Sequence, residues 1–173
     1  MKKAISLLIL IMMPVTLMAQ IPSVQLSEMK KLNFLVGKWK GEGWIEFGAG
    51  QRRTFTETET VESRVGGLVL VIEGLGKNQE GATIHNAFAV ATYDKEAKVF
   101  RWQAYRAADG SHMNTEAQVA NNSLVWGFHD ARAGELRFTI RLNEKGQWLE
   151  VGEVSRDGKT WSKFFEMILN REV

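Results

Sequence analysis

The chain has 173 residues, with 22 Lys and Arg against 20 Asp and Glu and 45% hydrophobic residues, the balance of a single soluble globular domain rather than a disordered tail. Two of the basic residues, Lys2 and Lys3, fall in a leader-like segment, so the remainder is electrically balanced and has no bulk electrostatic attraction for nucleic acid or anionic lipid. With no cysteine, the chain can have no disulfide framework, thiolate metal site, cysteine nucleophile or acylated lipoprotein cysteine.

Residues 1–20 start with Met1-Lys2-Lys3, run through an apolar stretch from Ala4 to Met18 broken only by Pro14 and Thr16, and reach Ala19-Gln20. This three-part pattern predicts a secretory signal peptide over 1–19, cleaved after Ala19, and a linker over 20–26. The apolar stretch is shorter than the roughly 20 residues of a membrane-spanning helix and carries a proline. Leu17 is larger than the small residue preferred three positions before cleavage, which leaves an uncleaved N-terminal anchor as the alternative. In both cases the folded domain faces outside the cytoplasm. The two-lysine start without a cysteine points to a bacterial periplasmic or secreted protein, with no stable membrane anchor once the leader is removed.

A short helix is predicted next, because Leu26, Met29, Leu32 and Leu35 recur at three-residue spacing behind Ser27, and Gly37 can end it. From Lys38 the apolar period changes to two. Trp39, Ile45 and Phe47 alternate with Lys38, Lys40, Glu42 and Glu46, which places Trp39 and Trp44 on opposite faces. Further strand-like runs follow over 53–62, 68–75, 83–93, 99–106, 112–119, 124–129, 136–142, 148–154 and 160–170, separated by short turn-rich segments such as Asp109-Gly110 and Asp157-Gly158. Both prolines precede residue 23, so no ladder is interrupted.

About ten strands with no room for crossover helices make an all-β, antiparallel, hairpin-connected sheet. An open sheet of that size would leave two edges and an apolar face exposed. Closure into an up-and-down β-barrel removes both problems and leaves an interior cavity, with a folded-over sandwich as the alternative.

Phe34-Leu35-Val36-Gly37-Lys38-Trp39 followed by Lys40-Gly41-Glu42-Gly43 resembles the first strand of calycin barrels, with its Gly-x-Trp, and most closely the nitrobindin and fatty-acid-binding-protein-like branch. The end, Ser155 to Trp161 and Phe165 to Arg171, is similar to the last hairpin of small exported, lipocalin-like bacterial proteins of unknown function. The resemblance spans 27–173 and implies one calycin-like barrel domain, with Trp39 at its closed end covered by Arg171. A nitrobindin likeness would also imply haem on a histidine near the C-terminus. The last histidine here is His129 and the final run offers Lys163, Glu166 and Met167 instead, so no haem or other cofactor is expected.

In the run Thr54-Phe55-Thr56-Glu57-Thr58-Glu59-Thr60, alternation puts Phe55, Glu57 and Glu59 on one face and four threonines on the other. Pointing inward, the glutamates would form a polar patch able to orient a ligand or act as acid and base. Pointing outward, they would be a solvated face with threonines toward the lumen, the reading favoured by the rarity of unpaired buried charge. His85, His112 and His129 have no mutual spacing that makes a metal site, and no metal is expected. No nucleophile elbow, phosphate loop or His-Glu-x-x-His motif occurs.

These features describe an exported binding barrel for a small apolar or amphipathic molecule, without catalysis. Its lumen is expected to be lined by Phe55, Phe88, Trp102, Tyr105 and Trp126, with Glu57, Arg101 and Gln103 orienting a polar end, and with space left by Ala87, Ala89, Ala91 and Ala104. A barrel enzyme using lumenal Glu and His groups, or a filled barrel acting as a structural or interaction module, are the alternatives.

Overall fold

The computed structural model describes residues 23–46 and 50–172. The leader over 1–19, the first residues of the linker, and Phe47 lie outside the described residues. A helix α1 (Ser23–Met29) tightens into a 3-10 turn over Lys30–Leu35. Ten strands follow: β1 (Gly37–Glu46), β2 (Arg52–Arg64), β3 (Val69–Lys77), β4 (Thr83–Asp94), β5 (Val99–Arg106), β6 (His112–Ala120), β7 (Ser123–Asp130), β8 (Gly134–Leu142), β9 (Trp148–Ser155) and β10 (Ser162–Arg171). Each pairs antiparallel with its sequence neighbour, and β1 also pairs with β10, so the sheet closes into a ten-stranded barrel with no free edge. The strands agree with the sequence-based runs to within a few residues. The helix starts earlier than the apolar spacing indicated, taking in Ser23 to Leu26 from the expected linker.

The helical segment plugs one end of the barrel. Met29, Leu32 and Leu35 are its buried face, and they belong to one core cluster with Trp39, Leu124, Trp148 and Leu169. Trp39 is 0% exposed, donates from Nε1 to the Leu35 carbonyl at 2.7 Å, and meets Trp148 edge-on with ring centroids 5.7 Å apart. Arg171, directly opposite Trp39 in the β1–β10 register, lays its guanidinium 4.0 Å from the indole centroid. The same guanidinium donates to the Phe34 carbonyl at 3.0 Å and to the Val36 carbonyl. Gly37 lies between, at φ 137°, where a Cβ would collide with Arg171. The floor is therefore sealed by one aromatic, one cation and the carbonyls at the end of the helical turn.

At the other end the end of β1, the start of β2 and the β3–β4, β5–β6, β7–β8 and β9–β10 connections surround the mouth. The wall has one weak seam. Between β6 and β7 the paired residues are Ala117 to Ala120 with Ser123 to Trp126; nearer the mouth the strands part, tied by Thr115 Oγ1 donating to the Gly127 carbonyl at 2.9 Å. Trp126 borders both the lumen and the outer groove beside this seam.

Candidate functional site

A cavity of about 1190 Å³ runs from the mouth to the floor. Its wall follows from strand alternation: each strand turns every second side chain inward, and the inward sets here mix large rings with alanine and glycine. On β4 and β5 the inward positions include Ala87, Ala89 and Ala104, which leave space, while Trp102, Trp126, Phe138, Phe55 and Phe165 supply an aromatic wall. Trp126 is stacked on Phe138 at 4.5 Å and on Trp102 at 5.4 Å, and Phe55 on Phe165 at 5.7 Å. A bulge between Lys163 and Phe165 breaks the alternation of β10, so Phe164 and Phe165 both reach the cavity.

The Thr-Glu run turns its glutamates inward, which corrects the favoured solvated reading. On β2, Phe55, Glu57, Glu59 and Val61 are buried, and the threonines face out. Glu57 is 3% exposed and Glu59 7% exposed. Space for the two carboxyl groups comes from β3, where Gly74 is opposite Glu59 and Gly76 is opposite Glu57. An added Cβ at Gly74 would lie 2.8 Å from Glu59 Oε1, and one at Gly76 would collide with Glu57 Oε2. Gly76 is also the register partner of His85 on β4, so Glu57, a bare glycine and His85 form one row across three strands. Donor atoms of Glu57, Glu59 and His85 all lie within 4.8 Å of one another.

A third carboxyl group, Glu150 on β9, is buried in the same lumen and accepts from Trp148 Nε1 at 3.3 Å. Burial pushes Glu57 up to about 8, with the Glu150 charge adding to it. Burial raises Glu59 well above the usual carboxylate range, helped by Glu57 and then Glu150. Glu150 rises to about 7 through burial, opposed by its bond from Trp148. His85 is lowered, by burial first and by Arg106 second, so its imidazole stays neutral at pH 7. Among the described residues, Glu57 Oε1, Glu59 Oε2, Trp102 Nε1 and Trp126 Nε1 are buried without a hydrogen-bond partner. The lumen thus presents two free indole donors and two free carboxyl oxygens.

Of the residues singled out from the sequence, Phe55, Glu57, Trp102 and Trp126 line this cavity. Phe88, Arg101, Gln103 and Tyr105 do not. Phe88 and Tyr105 are 37% and 47% exposed and pair with each other across β4 and β5 on the outer wall, ring centroids 6.3 Å apart. Arg101 is held outside by Glu116 at 3.0 Å and Asp94 at 3.2 Å, and Gln103 is exposed. Strand parity explains this, since Gln103 and Tyr105 are an odd number of residues from the inward Trp102. The residues not singled out as ligand contacts are Glu59, His85, Phe138, Glu150 and Phe165. Their signals were the Glu-x-Glu and Trp148-x-Glu150 alternations and the Gly74-x-Gly76 pair on the adjoining strand. The three histidines do not converge: His112 and His129 are exposed, His129 beside Glu135 at 2.8 Å, and His85 alone enters the lumen.

No protein-family model matches the chain. No curated protein matches it. Among solved structures it is similar to the crystal structure of Rv2717c from M. tuberculosis, with a TM-score of 0.61 and 12% sequence identity over 84% of this chain and 97% of that one. At that identity the likeness is one of fold.

Proposed function

We propose that the protein is an exported, non-catalytic barrel that binds a small amphipathic molecule in its lumen, polar end at the buried carboxyl groups and apolar body between the aromatic rings. The observation carrying this reading is the mixed lining of the cavity, in which buried carboxyl groups and unpartnered indole N–H groups lie among aromatic rings. Glu59 pairs with Trp39 at the closed end and Glu57 with Gly41, whereas Phe55 pairs with Gly43 nearer the mouth. The cavity sets three buried carboxyl groups, Glu57, Glu59 and Glu150, among the aromatic rings, with Arg53, Arg106, Arg156 and Asp157 bordering it as well. Apolar surface transferred from water to such a wall gains about 25 cal/mol per Å². Unpartnered indole N–H and carboxyl groups favour a ligand that brings both an acceptor and a donor over a plain hydrocarbon. Export rests on the charged, apolar and small-residue pattern of residues 1–20, and N-terminal sequencing of periplasmic protein should give a chain starting at Gln20.

The test is native mass spectrometry of protein purified from its host, followed by titration of the stripped protein with a fluorescent lipid analogue read by Trp quenching. The reading requires saturable one-to-one binding, at about micromolar affinity or weaker for a non-cognate probe. A titration without saturation would support a structural or interaction module instead.

A further inference from the structure

We propose that Glu57, Glu59 and His85 form a binding site for one divalent transition-metal ion, of the Zn²⁺ class, inside the barrel. The inference starts from placement. Two carboxylates on alternate positions of β2 and one imidazole on β4 come within 4.8 Å across β3, because β3 carries glycine at both intervening register positions. Zinc–oxygen and zinc–nitrogen bonds of about 2.0–2.2 Å separate tetrahedral ligands by roughly 3.4 Å, so side-chain rotations of an ångström or so bring the three donors onto one ion. Backbone movement is unnecessary, since the glycines leave the carboxyl groups room to turn.

A second observation points the same way. Glu57 and Glu59 are each more than nine-tenths buried, yet Glu57 Oε1 and Glu59 Oε2 have no hydrogen-bond partner among the described residues. The ion pairs of the described residues leave both glutamates without a Lys, Arg or His partner. Two adjacent buried carboxylates are costly when ionised without a cation, and a dication coordinated by both removes that cost. One imidazole and two carboxylates are the mixed nitrogen and oxygen set that zinc and its neighbours accept, whereas calcium and magnesium favour oxygen alone. Three protein ligands leave a fourth position open to the lumen. This site shares Glu57 and Glu59 with the amphipathic-ligand reading, but its three ligands all come from this chain, so metal uptake is read without that ligand present.

The experiment uses untagged full-length protein, stripped with a chelator and titrated with Zn²⁺ in competition with a chromophoric chelator, with bound metal counted by plasma mass spectrometry after dialysis. We expect one Zn²⁺ per chain. Glu57→Gln, Glu59→Gln and His85→Ala should each weaken binding at least about tenfold. His129→Ala, on the exposed pair with Glu135, should leave it unchanged. Urea melts of the stripped variants show whether each is folded, and X-ray absorption of the zinc-loaded wild type should give an all nitrogen and oxygen shell containing one imidazole. Absence of stoichiometric uptake by folded wild type overturns the proposal. So does uptake that survives all three lumenal substitutions or is lost with His129→Ala.

Discussion

Glu57 and His85 sit on strands that do not pair, yet they face each other across Gly76, which pairs with both. A Cβ on Gly76 would clash with the Glu57 carboxyl group and lie 2.9 Å from His85 Cβ. Gly76→Ala should therefore push the two apart, at an overpacking cost of about 1–3 kcal/mol in a urea melt. A variant as stable as wild type would show that the row can relax without strain.

Trp39 and Trp44 differ by five positions and so face opposite sides of β1. Trp39 is enclosed by Leu35, Trp148 and Arg171, whereas Trp44 lies outside under the Arg52 guanidinium, 3.6 Å from its centroid. We expect Trp39→Ala to cost about 3–5 kcal/mol. Trp44→Ala should cost about 1 kcal/mol or less, the value of an exposed cation–aromatic contact. Equal losses in urea melts would contradict the sealed floor.

Stability of the chelated protein should fall as pH rises. Glu57, Glu59 and Glu150 are acids whose folded pKa lies above the unfolded value near 4.5, so the native state holds protons that the unfolded chain releases. Their contribution is fully present below that value and is lost as pH climbs through about 7 for Glu150 and about 8 for Glu57. The lowered carboxylates, Asp157 at about 2 together with Asp94, Asp109 and Asp130, act in the opposite sense but below this window. His85, held below its usual 6.5, acts in the opposite sense up to that value, so urea midpoints should decline most clearly from about pH 6.5 to 9, and a Glu57→Gln, Glu59→Gln double variant should flatten that decline.

Probe binding should separate the two faces of the wall. Phe138 is in contact with Trp126, Phe164 and Phe165 at the centre of the lumenal rings, so Phe138→Ala should weaken the fluorescent lipid analogue roughly tenfold. Tyr105→Ala, on the outer wall, should leave its affinity unchanged. The reverse pattern would place the probe outside the barrel.

Much of the architecture is legible in the residues alone. Period-two alternation between Gly-rich and Asp-rich turns marks all ten strands, and short turns with no room for crossovers force neighbouring strands to pair antiparallel. Parity within a strand is legible too: Trp102 excludes Gln103 and Tyr105 from its own face. The phase is harder where both faces are polar. On β2, Phe55 and Val61 share a face with Glu57 and Glu59, and the rule against burying charge outweighs that apolar signal and selects the wrong face. The tertiary structure decides it, because closure brings Phe55 onto Phe165 and puts Gly74 and Gly76 beside the two glutamates, leaving room on the inside that no single strand reveals. His85 likewise gains its meaning only when β2, β3 and β4 are in register. Strand identity is local chemistry, whereas convergence of side chains from different strands depends on register and closure, which are set by the whole sheet at once.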